Sequence, residues 1–274
     1  MIKVKEIKVN DLVTASRLPS ADFVINPYVG CTNACRYCYA SFMKRFTGHD
    51  EPWGEFLDVK ICDKPLNVKK LAGKSVFLAS VTDVYNEYEK QYKVTRRVLE
   101  QLVGVDAVVS ISTKNDLILR DLDLLKRMNN VTVSFSINTT DEGFKNDMDC
   151  ASPIKDRMNA LKVLHENGVR TVCFVSPMFP EVTDWRRIVA LTKDFVDEFW
   201  FENLNLRGNY KAAILAYIKD KRPDLVPLYN EIYVKNKKDY WQKMSAEIRD
   251  FCAQEGVNFK NYFYHEELVK KNRE

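Results

Sequence analysis

Short runs of β-branched and aromatic residues recur along the chain and alternate with stretches of helical periodicity. Six of these runs have the composition of strands: Phe23 to Val29, Val76 to Ser80, Ala107 to Ser112, Val131 to Ile137, Thr171 to Val175, and Phe199 to Phe201. Between two of them, Val94, Val98, Leu99 and Leu102 are spaced to form one apolar helix face. This alternation predicts an α/β fold whose parallel strands form either an open doubly wound sheet or a partial (β/α) barrel.

One helix has clear start and stop signals. Ser152 and Pro153 are typical of an N-cap and a first turn, and Gly168 is typical of a stop. The face between them is formed by Ile154, Met158, Leu161 and His165. After Tyr210 the pattern changes to polar helices rich in aromatic residues, which predicts a C-terminal helical extension over about residues 209–274 beside a core over about residues 20–208.

Chain length, charge and the lengths of apolar runs indicate which kind of protein this is. A chain of 274 residues with 46% hydrophobic residues can form one domain, so we expect a single domain over residues 1–274. The 42 Lys and Arg residues barely exceed the 38 Asp and Glu residues and are spread along the chain, which is not the concentrated basic surface typical of nucleic-acid binding. No apolar run approaches the roughly 18 residues of a membrane span, and the first residues carry charges, so we expect a cytoplasmic protein without a membrane partner.

Three of the seven cysteines form a CxxxCxxC motif directly after a strand: Cys31, Cys35 and Cys38. Three thiolates on one loop can hold three irons of a [4Fe–4S] cubane and leave the fourth iron without a protein ligand. That iron can bind the amino and carboxylate groups of S-adenosylmethionine, whose reductive cleavage yields a carbon radical. The alternative is a zinc site with His49 or Cys62 as fourth ligand, which is less favoured because zinc ligands usually come as paired CxxC or Cys/His knuckles.

Five sequence blocks lie between about Asn26 and Arg207: NPYVGCTNACRYCYASFMKRF, SVTDVYNEYEKQYKVTR, SFSINTTDEGF, SPIKDRMNALKVLHENGV and SPMFP. Through these blocks the sequence resembles the radical S-adenosylmethionine (SAM) superfamily, and within it the spore-photoproduct-lyase-like branch. This resemblance implies a partial (β/α)6 TIM-like barrel with the [4Fe–4S] cluster and SAM across the C-terminal ends of the strands.

The resemblance also implies contacts to SAM. Tyr37 would offer its backbone to the adenine, and the end of the second strand would meet the methionine amino group through Ser80, Thr82 and Asp83. Ser136 and Asn138 would bind the ribose, and the methionine carboxylate would be neutralised by Arg157 and Lys60. Taken singly, these side chains could equally be strand-end caps or solvated helix residues.

The chain departs from its relatives at two places. Met148 and Asp149 stand where relatives commonly have a Glu-Pro pair, and the stretch from Asp83 to Glu87 replaces a Pro-rich turn. We expect both to lie near the mouth of the pocket and to reflect a different substrate. The polar residues at strand ends that the cofactor does not use are the candidates for substrate binding, with a salt-bridged barrel rim as the alternative: Lys114, Glu202, Asn203, Asn205 and Arg207.

Three substrate classes are compatible with the motif. The first is a small nucleobase-like molecule that the enzyme fragments, since the compact chain is similar to queuine lyase, which releases a 7-deazaguanine base. The second is a DNA lesion, for which Cys150 would be the hydrogen-returning thiol. The third is a peptide, which is disfavoured because the chain has no second CxxC motif. A cluster that only transfers electrons or senses redox state would leave the vacant iron unexplained. Each radical reaction needs a reductant such as flavodoxin or ferredoxin.

Overall fold

The computed structural model describes residues 2–208 and 210–264. The strands in these residues are β1 (Lys3–Lys8), β2 (Val13–Ala15), β3 (Phe23–Ile25), β4 (Tyr28–Gly30), β5 (Phe56–Ile61), β6 (Lys74–Leu78), β7 (Ala107–Thr113), β8 (Val131–Ser136), β9 (Arg170–Met178), β10 (Glu198–Asn203) and β11 (Phe259–Asn261). The α-helices are α1 (Val68–Leu71), α2 (Glu89–Tyr92), α3 (Val94–Leu102), α4 (Leu122–Leu125), α5 (Glu142–Met148), α6 (Ile154–Glu166), α7 (Trp185–Thr192), α8 (Tyr210–Lys221), α9 (Val226–Tyr229) and α10 (Asp239–Glu255).

The larger sheet has the strand order β11-β10-β9-β8-β7-β6-β3-β2. All neighbouring pairs from β3 to β11 are parallel, and only β2 pairs in the antiparallel direction. Strands β3, β6, β7, β8, β9 and β10 follow one another in the order of the chain, with helices between most of them. This arrangement confirms the α/β fold and is consistent with the partial (β/α)6 barrel, because helices cover one face and leave the other concave.

The run from Phe23 to Val29 is two strands, so the prediction of a single strand was wrong. Strand β3 pairs with β6 in the larger sheet, whereas β4 pairs with β5 in a second sheet of order β1-β5-β4. Pro27 lies at the break and has no N–H for a strand ladder. Its carbonyl oxygen instead accepts a hydrogen bond from the Lys60 N–H at 3.0 Å. Hydrophobic runs alone do not mark such a change of sheet.

Helix α6 has the predicted position but a different buried face. Gly168, at φ +78°, follows its C-terminus as expected. The N-cap is Pro153, while the Ser152 hydroxyl donates to Asp116 Oδ1 at 2.6 Å. The fully buried residues of the helix include Arg157, whereas Met158 and His165 are only half-buried. A buried arginine is invisible to an analysis of hydrophobic periodicity.

The C-terminal segment is helical through α8, α9 and α10, but it also contributes a strand to the barrel sheet. Strand β11 pairs in parallel with β10, with Phe259 opposite Phe199. The prediction of a purely helical extension was therefore wrong for Phe259–Asn261, and the predicted extension beyond residue 264 lies outside the described residues. Among residues 2–208 and 210–264, no helix combines the length and hydropathy that a bilayer crossing requires.

Candidate cofactor and substrate site

The three clustered cysteines lie on a loop that begins where β4 ends. Gly30 has φ +89°, and an added Cβ would lie 2.4 Å from the carbonyl oxygen of Phe56, so only glycine allows the turn. Cys31 follows at once and is buried, and Cys38 caps the 3-10 helix Tyr39–Phe46. All three cysteines line one cavity of about 2730 Å³.

The cavity occupies the concave face of the barrel sheet. Alternate residues of β7 to β10 point into it, as the two-residue period of a strand requires. Its volume exceeds the roughly 300–1,000 Å³ of an ordinary ligand pocket, so several groups can be bound side by side. Twelve of the sixteen predicted site residues line it: Cys31, Cys35, Tyr37, Cys38, Thr82, Asp83, Lys114, Ser136, Glu202, Asn203, Asn205 and Arg207.

Burial raises the pKa of all three thiols. At Cys31 the nearby Asp83 carboxylate and Cys38 raise the pKa further. At Cys35 the Lys114 ammonium opposes the effect of burial, while Asp149 and the other two cysteines add to it. The three sulfurs are thus close enough to repel one another as thiolates. Because a bound cation compensates that repulsion and displaces the protons, the loop favours metal binding over free thiolates.

Asn33 holds the cysteine loop in position. Its Nδ2 donates to Asp83 Oδ2 at 2.9 Å, its Oδ1 accepts from Asn115 Nδ2 at 3.0 Å, and its carbonyl oxygen accepts from the Cys150 N–H at 2.8 Å. The Asn33 residue is only 4% exposed, so these bonds do not compete with water. The loop is therefore tied to the segments that follow β6, β7 and α5.

Asp83 has four donors from the protein. Besides Asn33, it accepts from the Thr113 hydroxyl at 2.8 Å and from the N–H groups of Tyr85 and Lys114, both at 2.9 Å. A carboxylate has about four acceptor sites, so these donors fill it. The geometry gives Asp83 a positioning role and does not support its predicted contact with the methionine amino group.

Tyr37 is hydrogen-bonded through its hydroxyl to two buried side chains that do not line the cavity. Its hydroxyl donates to Asp149 Oδ2 at 3.2 Å and accepts from Asn138 Nδ2 at 3.5 Å. Arg157 donates to Asp149 Oδ1 at 2.6 Å, and its other nitrogens donate to backbone carbonyls, one of them that of Ser136. Neither Asn138 nor Arg157 lines the cavity. In the structure both support Tyr37, Asn138 directly and Arg157 through Asp149, and their contacts with SAM stay predictions.

Of the other residues predicted to contact the cofactor, some line the cavity and others do not. Thr82 lines the cavity and donates its hydroxyl to the Gly30 carbonyl at 2.6 Å. Ser80 does not line it, and its hydroxyl accepts from Asn26 Nδ2 at 2.8 Å. Lys60 lies on β5, away from the other candidates, at a separate cavity of about 290 Å³. That position does not support contact with the methionine carboxylate, because β5 belongs to the second sheet.

Four of the five predicted substrate residues, Glu202, Asn203, Asn205 and Arg207, come from the end of β10 and the segment after it, and all four line the cavity. The Ser176 hydroxyl donates to Glu202 Oε2 across β9 and β10. Asn203 Oδ1 accepts from the Tyr264 N–H at 3.1 Å, and Asn205 Oδ1 accepts from Arg207 Nε at 3.0 Å.

Lys114, the fifth predicted substrate residue, directly follows the end of β7. Its ammonium nitrogen lies 5.5 Å from the centre of the Tyr37 ring, within cation–π range. The charged residues of the cavity thus include the Lys114 ammonium near the cysteine loop and the Glu202 carboxylate at the end of β10, together with Asp83 and Arg207.

Of the residues in the two departures from the family pattern, only Asp83 lines the cavity, whereas both stretches were expected near its mouth. Val84, Tyr85 and Asn86 are at most 1% exposed and do not line the cavity. Met148 and Asp149 are likewise buried behind Tyr37. Apart from Asp83, none of these residues lines the cavity.

The proposed fourth ligands of a zinc site are engaged elsewhere. His49 Nδ1 lies 3.0 Å from Glu51 Oε2, and its Nε2 lies 2.8 Å from Asp58 Oδ1. The Cys62 thiol donates to the Lys64 carbonyl and lines the small cavity. In the part of the chain that the structure describes, no group of three or more His, Cys, Asp or Glu side chains is arranged around a single metal ion, and this holds for the three clustered cysteines as well.

Three aromatic residues that the sequence analysis did not single out also line the cavity: Phe174, Trp200 and Tyr262. Their positions could have been found from the alternation along β9 and β10, since Phe174 and Ser176, and Trp200 and Glu202, are two residues apart.

Comparison with known proteins decides the family. Residues 25–192, which include the cysteine loop and the strands from β4 to β9, match the family model of the radical SAM superfamily. The chain belongs to the radical SAM superfamily. This family uses a [4Fe–4S] cluster and SAM, which confirms the predicted cofactors. The three mutually interacting thiols at the edge of a large cavity fit such a cluster.

Relatives support this assignment. An uncharacterized protein of Methanocaldococcus jannaschii is 37% identical over 224 residues, covering 81% of this chain and 85% of the relative. Spore photoproduct lyase complexed with dinucleoside spore photoproduct has a TM-score of 0.58 at 17% identity, covering 80% of this radical SAM chain and 66% of that structure. Streptococcus suis SuiB bound to S-adenosylmethionine has a TM-score of 0.52 at 14% identity, covering 95% of this chain and 50% of SuiB. These two solved structures show that the fold is shared, which is consistent with the predicted branch.

Proposed function

We propose that this chain is a radical SAM lyase in which Cys31, Cys35 and Cys38 hold the [4Fe–4S] cluster. The substrate is a nucleobase-like small molecule, and the reaction fragments it, as queuine lyase does when it releases a 7-deazaguanine base. When bound, the cluster and SAM supply a 5′-deoxyadenosyl radical that takes a hydrogen atom from this substrate.

The observation that carries the proposal is the set of residues that line one cavity. The three thiols and the carboxylate of Glu202 line the same space, with Lys114 near the thiols. A carboxylate accepts hydrogen bonds from the adjacent N–H donors of a guanine-type edge. A cavity of about 2730 Å³ has room for the cofactor and a small heterocycle together.

The polar residues of the cavity have separate tasks in this proposal. The Lys114 ammonium offers a positive charge near the cysteine loop, where the carboxylate of SAM would be neutralised. Ser136 lines the cavity at the end of β8 and offers a hydroxyl to the ribose. Glu202 orients the heterocycle, and Asn203, Asn205 and Arg207 form the rim beside it. The electron comes from a small carrier such as flavodoxin or ferredoxin.

The test begins with anaerobic reconstitution of the purified protein. With dithionite and SAM, the wild-type protein should bind about four irons per chain and form 5′-deoxyadenosine, because the three thiolates complete a SAM-cleaving cluster. Cys31→Ala should lose both, whereas Cys62→Ala should keep both, since Cys62 lines the separate cavity. Wild-type protein that binds its iron but forms no 5′-deoxyadenosine would contradict the proposal.

Substrate identity is tested separately with Glu202→Gln. This change should weaken binding of a 7-deazaguanine base while uncoupled 5′-deoxyadenosine formation continues, because the carboxylate contacts the substrate edge and not the cofactor. Loss of both properties would indicate that Glu202 supports the barrel through its hydrogen bond with Ser176.

DNA-lesion repair is the second candidate, and one observation favours it. Phe42 and Phe46 are 47% and 67% exposed next to the cysteine loop, and the Arg45 guanidinium lies 4.6 Å from the centre of the Phe46 ring. Exposed aromatic and basic residues are typical of single-stranded nucleic-acid binding. The solved structure of spore photoproduct lyase contains a dinucleoside spore photoproduct. Binding of a lesion-bearing oligonucleotide, but not of a free base, would favour this candidate over the first.

A further inference from the structure

The concave face of the barrel sheet is divided into two chemically different halves. Strands β7 and β8 contribute hydroxyl side chains to the cavity: Ser110, Ser112, Thr132, Ser134 and Ser136. Strands β9 and β10, with the residue after β11, contribute large rings: Phe174, Trp200 and Tyr262. We call the β7 and β8 side the hydroxyl half and the side with the three rings the aromatic half. The cysteine loop is held on the side of the hydroxyl half, because Asn33 is hydrogen-bonded to Asp83 after β6 and to Asn115 after β7.

The three rings form one packed group. The Phe174 and Trp200 centroids are 5.8 Å apart at 80°, those of Trp200 and Tyr262 are 5.6 Å apart at 79°, and those of Phe174 and Tyr262 are 6.4 Å apart at 71°. Such edge-to-face contacts hold each ring in place. All three residues are half-buried and line the cavity, so part of each ring is accessible from it.

The polar atom of the central ring is already used within the protein. The Trp200 indole N–H donates to Glu198 Oε2 at 3.0 Å, and Glu198 is in turn paired with Lys260 and Arg170. Trp200 therefore offers the cavity its apolar ring surface and not a hydrogen-bond donor. Glu202, two residues further along the same strand, lies on the same face and accepts a hydrogen bond from Ser176. A ring surface with a carboxylate beside it has the two properties that bind a planar base.

The aromatic half lies largely outside the part of the chain that matches the superfamily. The matched region ends at residue 192, whereas Trp200, Glu202 and Tyr262 all come later in the chain. The shared region contains the cysteine loop and the hydroxyl strands, which serve the common cofactor. A feature specific to one substrate is expected in the part that the general family model does not contain.

We propose that Phe174, Trp200 and Tyr262 form a substrate subsite that holds a planar heteroaromatic ring, with its N–H edge directed at Glu202. The ligand class is a bicyclic base with adjacent N–H donors, and a saturated or peptide substrate has no matching contact. This inference rests on the proposed function, since it assigns the substrate position in the same cavity. It also fixes an orientation, because the ring occupies the β9 to β11 side and the substituent of the base extends toward the cysteine loop.

The subsite is tested by calorimetric binding of 7-deazaguanine to reconstituted protein without SAM. Replacement of one stacking ring should weaken binding about 5–150-fold. Trp200→Leu and Tyr262→Leu should each fall in this range. Trp200→Phe should keep most of the affinity because it preserves a ring, and Tyr88→Leu, which changes an aromatic residue outside the cavity, should bind like wild type. Each variant is used only if its melting curve shows a folded protein, and Tyr262→Leu replaces Trp200→Leu if the latter unfolds.

The outcomes separate this inference from the proposed function. Ring-dependent binding of 7-deazaguanine supports the subsite even if wild-type protein forms no 5′-deoxyadenosine, a result that contradicts only the lyase proposal. Wild-type protein that forms 5′-deoxyadenosine but binds no 7-deazaguanine at millimolar concentration overturns the subsite. Equal affinities of wild type and both leucine variants also overturn it, because the base would then be bound elsewhere.

Discussion

The buried carboxylate of Asp149 should be among the most sensitive positions for the stability of this chain. It accepts hydrogen bonds from Arg157 Nη2 at 2.6 Å, from the Ala151 N–H at 3.1 Å and from the Tyr37 hydroxyl at 3.2 Å. The side chains of Asp149 and Arg157 are 1% and 0% exposed. The Asp149→Ala change would leave a guanidinium without its counter-ion and without access to water.

The expected magnitude follows from that burial. Removing one partner of a buried ion pair costs about 3–5 kcal/mol, and for a chain of roughly this size each kcal/mol lowers the melting temperature by about 2–4 °C. Asp149→Ala should therefore lower the melting temperature by about 6–20 °C. The measurement is a thermal melt of the reconstituted protein, followed by circular dichroism at one fixed scan rate.

Two further variants test the reasoning. Asp123→Ala removes a carboxylate that is 56% exposed, and Arg96 keeps its contact with Asp121 at 2.9 Å, so the loss should be at most about 1 kcal/mol. The double change Asp149→Ala with Arg157→Met should be more stable than Asp149→Ala alone, since it removes the unpaired charge. The reasoning is refuted if the double variant melts at or below the temperature of the single variant.

Three other predictions concern the cysteine loop and its surroundings. Asn33→Ala should lower the free energy of unfolding by about 1–3 kcal/mol and release iron faster to a chelator, because Asp83 and Asn115 lose a buried hydrogen-bond partner. Unchanged iron release would contradict the role of Asn33 in holding the cysteine loop. Gly30→Ala should lower the melting temperature far more than Gly48→Ala, since only the former meets a backbone oxygen at 2.4 Å; equal effects would exclude the clash. Hydrogen bonding to Lys3 lowers the pKa of Glu51 from 4.5 to about 2, so its stabilisation is present above pH 4.5 and lost as the pH falls toward 2. In Glu51→Gln, the loss of stability between pH 4.5 and 2 should be smaller than in the wild type. An equal dependence of stability on pH in the two proteins would contradict this prediction.

The strand and helix alternation was predictable because it depends on local periodicity. All six predicted strand runs overlap with a strand of the parallel sheet, and α3 buries the predicted residues Val94, Val98, Leu99 and Leu102. The predictions were wrong where the local hydrophobic pattern does not determine which strands pair with each other. The run that contains Pro27 divides between two sheets, and β11 joins the barrel sheet as three residues whose partner lies 60 positions earlier in the chain.

The sequence by itself determined the cofactor chemistry, because the spacing of Cys31, Cys35 and Cys38 brings three thiols onto one loop. Only the tertiary structure decided which polar strand-end residues face the cavity. Arg157 and Asp83 have the residue types of ligand contacts, yet their donors and acceptors are bonded to distant protein groups. The aromatic half of the cavity also depends on tertiary pairing, since Trp200 and Tyr262 meet only when β11 joins β10. A side chain's residue type limits the bonds it can make, but its partners are chosen by contacts between residues far apart in the chain.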